Sequence, residues 1–361
     1  MATSRFTIAI GGVVLAAGCS SPPPPQRVPQ LGPSLRIGVI DFFGLRQVTQ
    51  PAARAALALK EGDTIPLDGE GRPPAIDESE RALARVPGIA RARLTLVCCE
   101  AGNGIVYVGV EEAGSPTFEF RPAPRGPGRL PDEIVETGRE FTAALADAVR
   151  RGDSAEDVSH GQSLIRDPAT RAVQIRLIEY AREPARFRGV LRDSSDSNHR
   201  ALAAQILGYA TNKNAVVGDL IHALGDPSED VRNNAMRAVA IFARIQAPPT
   251  RATVRIPPEQ LVALLGSPAW SDRNKASLAL MQLTERPDSA LLRLLRRQAL
   301  VPLAEMARWK SEGHAMPAFM MLGRIAGRTD DEIQAAWTQG QREQLIESAL
   351  RAGGPRVGRT R

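Results

Sequence analysis

The sequence is poor in the residues from which most catalytic and metal sites are built. It has four histidines, His160, His199, His222 and His314, and they follow no metal-ligand spacing. Phosphate-binding glycine loops of the Walker type are absent, and so are nucleophile motifs of the Gly-x-Ser-x-Gly type. The sequence therefore predicts a protein that is not an enzyme and that holds no metal ion and no cofactor.

Aromatic residues and lysine are scarce as well. Aromatic side chains make up 4% of the chain although 43% of its residues are hydrophobic, so small aliphatic side chains supply the core. This composition favours closely packed helices over a β-sandwich. Lysine occurs only at positions 60, 213, 275 and 310, and the net charge of +6 is therefore carried by arginine. Because the arginines are scattered among acidic residues, no nucleic-acid partner is expected.

Cysteine is nearly absent, and its placement argues against a disulfide framework. Beyond Cys19 the chain has only Cys98 and Cys99, which are adjacent. Neighbouring side chains of a strand point to opposite faces, and a disulfide between adjacent residues requires a strained ring. The pair is therefore interpreted as two ordinary strand residues, with the question of whether either one is reactive left open.

Residues 1–18 have the features of an export signal. Arg5 precedes an apolar run, residues 6–15, that is too short to cross a bilayer as a helix. Small residues stand directly before Cys19, and a polar, proline-rich segment follows it. This pattern resembles the lipobox of bacterial lipoproteins, although Ala16 occupies the position where leucine is usual.

The lipobox resemblance implies a lipid on Cys19 and an extended tether over residues 19–34. Ser20, rather than aspartate, follows the cysteine, which is typical of lipoproteins sorted to the outer membrane and facing the periplasm. The alternative is an ordinary secretory signal, cleaved after small residues, in which Cys19 has no special role.

Residues 35–115 predict a small module with the order β-α-α-β-β. A β-branched and aromatic strand begins at Leu35, helices begin near Pro51 and Asp77, and two strands flank a glycine turn near residue 102. The segments LALKEGD (residues 57–63) and LARVPGI (residues 83–89) resemble the POTRA domain of bacterial envelope proteins. That resemblance implies partner binding by strand addition at a sheet edge. A structural spacer or cap is the alternative.

Residues 162–352 predict an all-α array of repeats, joined to the module by a connector and a helix over residues 116–161. Related segments recur around Arg200, Arg232 and Arg273. They resemble HEAT repeats, most clearly in residues 220–242, where Ser228 is expected to cap a helix after the turn at Asp226. Such units must stack, because no single unit can bury its own apolar face. The predicted fold class is α+β: a POTRA-like domain, a HEAT-like solenoid and a disordered basic end, residues 353–361.

Two sets of residues are candidates for function. The first recurs with the repeats and is expected to join one repeat to the next, or alternatively to contact an acidic partner: Arg200, Arg232, Arg273, Asn233 and Asn274. The second is a methionine and aromatic cluster that could form an adaptable apolar groove, although core between stacked helices is the favoured interpretation: Trp309, Met316, Phe319 and Met320.

Together these features predict a non-enzymatic, lipid-anchored scaffold or adaptor that binds other envelope proteins. HEAT-like arrays also include lyases, so a HEAT-like lyase is one alternative. The other is a sensor that binds a ligand in the methionine-rich carboxyl-terminal half.

Overall fold

The structure is a computed structural model that describes residues 9–10, 34–66, 72–100, 102–115, 118–158, 161–245, 254–286 and 288–353, without the Cys99 side chain. It combines one small sheet with a long series of helices, so the predicted α+β class and the helical repeats are confirmed. Cys19, the tether up to residue 33 and the basic end beyond residue 353 lie outside the described residues, as does most of the predicted signal peptide. None of the described helices has the length and hydropathy needed to cross a bilayer.

The sheet has five strands in the order β1-β4-β5-β2-β3. The strands are β1 (Ala9–Ile10), β2 (Ser34–Phe43), β3 (Thr64–Pro66), β4 (Ile89–Glu100) and β5 (Asn103–Glu112). β5 lies at the centre, parallel to β2 and antiparallel to β4, while β1 runs parallel to β4 beside Val97 and Cys98. The alternating and β-branched patterns of the sequence thus predicted the three long strands, but not the short β3 that the chain forms between its two helices.

Helices α1 (Gln50–Ala55) and α2 (Pro74–Leu83) cover one face of the sheet. α1 is shorter than its alanine-rich sequence predicts. It stops at Ala55 because the chain must turn for Leu59 to reach the core, and the Ser79 hydroxyl receives the freed N–H of Ala58 at 3.0 Å. Packing of one leucine therefore outweighs the helix propensity of several alanines.

A buried carboxylate fixes the loop that follows β2. Glu112, at the end of β5, accepts the backbone N–H groups of Arg46, Gln47 and Val48 at 2.8 to 2.9 Å. Burial would raise the pKa of Glu112, but the three donors outweigh it and hold the pKa below its usual range. The side chain thus replaces the backbone partners that this loop lacks.

After the non-helical connector, the described chain is mostly helical and contains one short hairpin. Helix α3 (Asp132–Arg150) agrees with its prediction, and the hairpin that follows it was not predicted: β6 (Glu156–Asp157) and β7 (Leu164–Ile165). The remaining helices are α4 (Pro168–Tyr180), α5 (Ala185–Asp193), α6 (Ser197–Leu207), α7 (Lys213–Ala223), α8 (Glu229–Arg244), α9 (Glu259–Leu264), α10 (Trp270–Leu283), α11 (Ser289–Gln298), α12 (Leu300–Ala307), α13 (Glu312–Ile325), α14 (Asp330–Thr338) and α15 (Arg342–Gly353).

Helices α6, α8, α10 and α13 stack side by side in one row, which we call the inner row. Small residues allow this close approach: Ala235 and Ala238 are buried, and a Cβ added at Gly208 would lie 2.8 Å from that of Ala238. Larger side chains at these positions would push the neighbouring helices apart. Ser228 does begin α8, but its hydroxyl caps nothing, and the Asp226 carboxylate receives the Ser228 N–H instead.

The second face of the sheet packs on the repeats rather than on solvent. Phe43, Val97, Ile105 and Tyr107 belong to the same buried cluster as the inner row. The contact is close enough to require glycine, because a Cβ at Gly109 would lie 1.8 Å from the carbonyl oxygen of Pro268 in the loop before α10. The module and the repeats therefore share one core.

The Glu112 contact gives the first prediction. Replacing Glu112 by glutamine leaves buried N–H groups with a weaker acceptor, so the free energy of unfolding at pH 7 should fall by about 1–3 kcal/mol. Because the folded pKa is lowered, the carboxylate stabilises the fold above the normal glutamate pKa, and this stabilisation is lost as the pH falls through the folded value. Urea titrations between pH 7 and pH 3 should therefore show a shallower loss of stability in the variant.

The exposed Glu78 offers a matched control, since Glu78→Gln should change neither the stability at pH 7 nor its pH dependence. Equal unfolding curves for Glu112→Gln and the unmodified chain would contradict the assignment.

Candidate functional site

The recurrent arginines form a ladder of buried ion pairs along the inner row. Arg200 of α6 donates from Nε and Nη2 to the two carboxylate oxygens of Asp226, at 2.8 and 2.9 Å. Arg232 of α8 makes the same bidentate pair with Asp272 of α10, both bonds at 2.9 Å. Each arginine also donates Nη1 to a carbonyl of its own preceding loop. The ladder therefore ties each repeat to the next.

The third step of the ladder departs from this pattern. Arg273 donates only one hydrogen bond to a carboxylate, from Nη1 to Glu305 of α12 at 2.7 Å. Its Nε donates instead to the carbonyl of Ser267. Complete burial lowers the pKa of Arg273, because the charged form loses its hydration, and Glu305 only partly restores it. The order of the helices changes at this point. Before it, one helix separates each inner-row helix from the next, whereas two helices, α11 and α12, separate α10 from α13.

The faces of two ladder guanidinium groups lie on aromatic rings from the amino-terminal part of the chain. The Cζ atom of Arg232 is 3.9 Å from the ring centre of Phe120, and that of Arg273 is 4.4 Å from the ring centre of Phe43. All three arginines are at most 3% exposed. The partner that the arginines face is thus the chain's own module and connector, and their side chains do not form an open surface.

The connector follows the turns of the repeats. Arg121 donates two hydrogen bonds to the repeats, from its backbone N–H to the carbonyl of Gly225 and from Nη2 to the carbonyl of His222, both at 2.8 Å. Gly126 pairs with the turn between α5 and α6 through Asp193 and Ser195. The connector and the sheet thus cover the edge of the array that the turns between its helices form, from α5 to α13. We call this edge the turn edge.

An aromatic junction joins the sheet to the repeats. The Tyr107 ring of β5 stacks on Trp270 of α10 at 5.3 Å and contacts Trp309 at 4.8 Å. The Tyr107 hydroxyl is 2.7 Å from Nδ1 of His314 on α13. Burial raises the pKa of Tyr107 and lowers the pKa of His314 to about 4, so both groups are neutral at pH 7. A neutral hydrogen bond inside stacked rings is a structural contact rather than an acid–base pair.

Polar contacts close the rim of this junction. The Ser311 hydroxyl donates to Glu100 at 2.8 Å, and the Lys310 N–H donates to Asp41 at 2.7 Å. Burial raises the pKa of Asp41, an effect that the Lys310 N–H and ammonium only partly oppose. On the other side, Arg93 of β4 pairs with Glu229 of α8 at 2.9 Å.

The second candidate set lies in the core. Trp309 is in the junction, and Phe319, which is fully buried, meets Trp337 of α14 edge to face at 5.0 Å. Met316 and Met320 are half-buried and pack against the same cluster. These four residues fill the space between stacked helices and do not line an open groove.

The two asparagines of the ladder positions differ. Asn233 is half-buried and donates to the Oδ1 of Asn234 at 3.3 Å. Asn274 is 1% exposed, and within the described part of the chain its Nδ2 has no acceptor.

Charged side chains of α8 and α10 lie on the side of the inner row that carries the β6–β7 hairpin. We call it the hairpin face and define it by Glu156 of β6, Arg237 and Arg244 of α8, and Lys275 of α10. Arg237 pairs with Glu156 at 2.6 Å, and Glu156 also accepts the Ser163 hydroxyl. Burial alone would raise the pKa of Glu156, but Arg237 outweighs it and lowers the pKa. Burial lowers the pKa of Lys275 to about 8, and the neighbouring Arg237 adds to this shift.

Where the short edge strands β1 and β3 do not reach, arginine–glutamate pairs occupy backbone groups on the outer sides of β4 and β2. On β4, the outward N–H of Leu94 donates to Glu80 at 2.7 Å and its carbonyl accepts from Arg72 at 2.9 Å. On β2, the outward groups of Ile40 meet Glu61 and Arg54 in the same way, both at 3.3 Å. At these positions the side chains occupy the backbone groups that an added strand would need.

One interpretation from the sequence needs correction. Cys98 is disulfide-bonded, so it is not an ordinary strand thiol, and its partner lies outside the described side chains. Asp226 and Glu229, near the start of α8, hold Arg200 and Arg93, contacts that the sequence did not predict. The sequence also did not single out Tyr107 and Trp270. Only their rarity could have pointed to them, because the chain has just three tyrosines and three tryptophans. In a chain with so few large rings, those rings are expected at the largest packing contacts.

No cluster of three or more histidine, cysteine, aspartate or glutamate side chains that could hold a metal ion occurs among the described residues. No family model matches the chain, and no curated protein matches it.

Several solved structures resemble it. A designed armadillo repeat protein is 18% identical with a TM-score of 0.33, over 52% of this chain and 94% of that one. Another, in complex with the peptide (KR)4, is 18% identical with a TM-score of 0.34, over 52% and 96%. A computationally designed armadillo repeat protein for modular peptide recognition is 17% identical with a TM-score of 0.35, over 61% and 99%. At these scores the likeness assigns no family.

The ladder gives the second prediction. Arg232→Ala removes one partner of a buried pair and leaves Asp272 charged without its counter-ion. The free energy of unfolding should therefore fall by about 3–5 kcal/mol, measured by urea titration. Arg139 and Glu136 form an exposed pair on α3, so Arg139→Ala should cost about 1 kcal/mol or less. Similar losses for the two variants would contradict the role of the ladder.

Proposed function

We propose that this protein is a non-enzymatic scaffold that holds a protein partner on its helical repeats and is kept at the cell envelope by a lipid on Cys19. One observation carries the proposal: buried arginine–aspartate pairs and packing against the sheet hold α6, α8, α10 and α13 in one fixed row of helices. Repeat arrays offer extended surfaces of this kind rather than enclosed pockets, and such surfaces suit a macromolecular partner.

Rigidity supports the scaffold role. The ladder joins successive repeats, and the Tyr107 junction joins the sheet to α10 and α13. A surface that is already fixed loses little conformational entropy when a partner binds. The amino-terminal module then acts chiefly as a cap that covers what would otherwise be an exposed edge of the array.

The POTRA resemblance is compatible with the central position of β5 between β2 and β4. Strand addition at the sheet edges is a weaker route to a partner, because an incoming strand must displace Glu80 and Arg72 from Leu94, or Glu61 and Arg54 from Ile40. We therefore assign partner binding to the repeats and not to the sheet.

The envelope location rests on the sequence of residues 1–25. Small residues before Cys19 and the proline-rich tether after it support lipidation, and Ser20 supports sorting to the outer membrane with the protein facing the periplasm. Several acyl chains bind a membrane firmly, so the lipid would decide where the hairpin face meets its partner.

A ligand-binding sensor is the second candidate. It is favoured by buried N–H donors of the carboxyl-terminal half that have no acceptor among the described residues, among them Nε1 of Trp309 and Nδ2 of Asn274. A small molecule with acceptor oxygens would satisfy them. We rank it below the scaffold because both groups lie in a packed core with no opening in the described structure.

The third prediction tests location and partner together. Full-length chain and its Cys19→Ala variant are expressed in a Gram-negative host, and cells are fractionated. The variant should leave the membrane fraction, because the lipid is its only firm attachment in this proposal; unchanged retention would contradict the anchor.

A photocrosslinking residue is then placed on the hairpin face at Arg244 and, as a control, at the exposed Arg186 of α5. A reproducible protein adduct from the hairpin face, absent from the control, is expected. Adducts at neither position would remove the basis for a scaffold.

A further inference from the structure

A shallow groove lies near the carboxyl-terminal end of the helical array, between α11, the end of α13 and the end of α15. It has a volume of about 310 Å³ and is open to solvent on one side. One wall is a single stripe of α11, whose members follow the spacing of three and four residues that places side chains on one face of a helix: Ser289, Leu292, Arg293 and Arg296. Ile325 of α13 and Ala352 of α15 belong to the facing wall.

The wall that α11 provides is held in place from behind and from across the groove. Leu291 and Leu295 are buried, and α11 packs against α9 and α13. Across the groove, Nη2 of Arg296 donates to the carbonyl of Ile325 at 2.5 Å. The groove is therefore formed before anything binds in it.

The groove carries positive charge that no carboxylate in the described part of the chain offsets. Three of its lining residues are arginines, and none is acidic. Arg324 is already paired, because Asp330 accepts from its Nε and Nη2 at 2.9 and 2.7 Å. Arg296 bonds only the Ile325 carbonyl, and Arg293, which is exposed, makes no hydrogen bond or ion pair with the described residues. Two guanidinium groups thus lack a counter-ion.

The chain itself is a poor source of the missing negative charge. Asp288, beside the groove in sequence, is engaged as the cap of α11, where it accepts the N–H groups of Ala290 and Leu291 at 2.8 and 3.1 Å. Residues 354–361, which follow α15, contain three arginines and no acidic side chain. A second copy of the chain has a net charge of +6 and is repelled. The complementary charge therefore comes from a different molecule.

The size of the groove favours protein side chains over a phospholipid. Its 310 Å³ is at the lower end of the range of about 300–1,000 Å³ that small-molecule pockets span, so the hydrocarbon chains of a phospholipid would stay largely outside. Leu292 and Ile325 offer an apolar floor, with Arg293 and Arg296 beside it. An amphipathic helix that carries an apolar anchor and carboxylates one turn away on the same face complements both features.

We infer that this groove binds an acidic amphipathic segment of the protein partner. One apolar side chain of the segment packs on Leu292 and Ile325, and its carboxylates pair with Arg293 and Arg296. The inference deepens the proposed scaffold function and rests on it. Arginine suits this role because its planar guanidinium group can hold a carboxylate with two parallel hydrogen bonds.

Arg297 provides a matched control for the test. It lies on the same helix as Arg293 and is equally exposed, but it does not line the groove. Arg293→Gln and Arg297→Gln therefore remove the same charge from different places. Ala352→Trp fills the groove from an exposed position of its wall without any change of charge. Because the three positions are exposed, the circular dichroism of the variants should equal that of the unmodified chain.

The probe is a fluorescently labelled helical peptide of glutamate, leucine and alanine, and its binding to the purified full-length chain is followed by anisotropy. We expect the affinity to be about tenfold weaker for Arg293→Gln, which loses a charge-assisted contact, and for Ala352→Trp, and to be unchanged for Arg297→Gln. A second peptide with glutamine in place of glutamate should bind at least about tenfold more weakly than the first.

Three results would overturn the inference. They are equal losses for Arg293→Gln and Arg297→Gln, no measurable binding of the glutamate peptide, and equal binding of the two peptides. Vesicles of phosphatidylglycerol are tested in parallel, with phosphatidylcholine vesicles as control. If the groove serves a peptide, any vesicle binding should respond alike to Arg293→Gln and Arg297→Gln; vesicle binding that only Arg293→Gln weakens would make the groove a lipid site and contradict the inference.

Crosslinking from the hairpin face separates this inference from the function on which it rests. If the unmodified chain captures a protein in cells while the purified chain fails to bind the peptide at Arg293, the groove assignment is wrong and the scaffold stands. If the unmodified chain captures nothing, the scaffold itself fails.

Discussion

Burial of positive charge is the constraint on which the rest of this structure depends. Arg200 and Arg232 are almost completely removed from water, and they are tolerated there only because Asp226 and Asp272 each accept two bonds from them. Since each carboxylate comes from the following turn or helix, satisfying the charge also fixes the spacing of the repeats. The stacking of α6, α8 and α10 is thus set by electrostatics as much as by apolar contact.

The same guanidinium groups explain why the module and the array form one body. Phe120 and Phe43 cover the faces of Arg232 and Arg273, and Tyr107 then enters between Trp270, Trp309 and His314. The turn edge is closed by these contacts.

The sequence predicted what depends on local patterns and missed what depends on distant contacts. The repeats could be predicted from local patterns, namely the recurrence of Arg200, Arg232 and Arg273 and the small side chains of Ala235 and Ala238. The bond between Tyr107 and His314 joins residues 207 positions apart, and no local pattern contains it. The local sequence places Asp226 in a turn before a helix, whereas its ion pair with Arg200 is visible only once the helices are stacked.

The central claim is that the sheet and the repeats open together, and native-state hydrogen exchange tests it most directly. Peptides from β5 and from α13 should exchange in the unmodified chain with the same free energy of opening, and His314→Ala should lower both by the same amount, of about 1–3 kcal/mol. Loss of protection confined to α13, with β5 unchanged, would show that the module folds independently and would contradict the account.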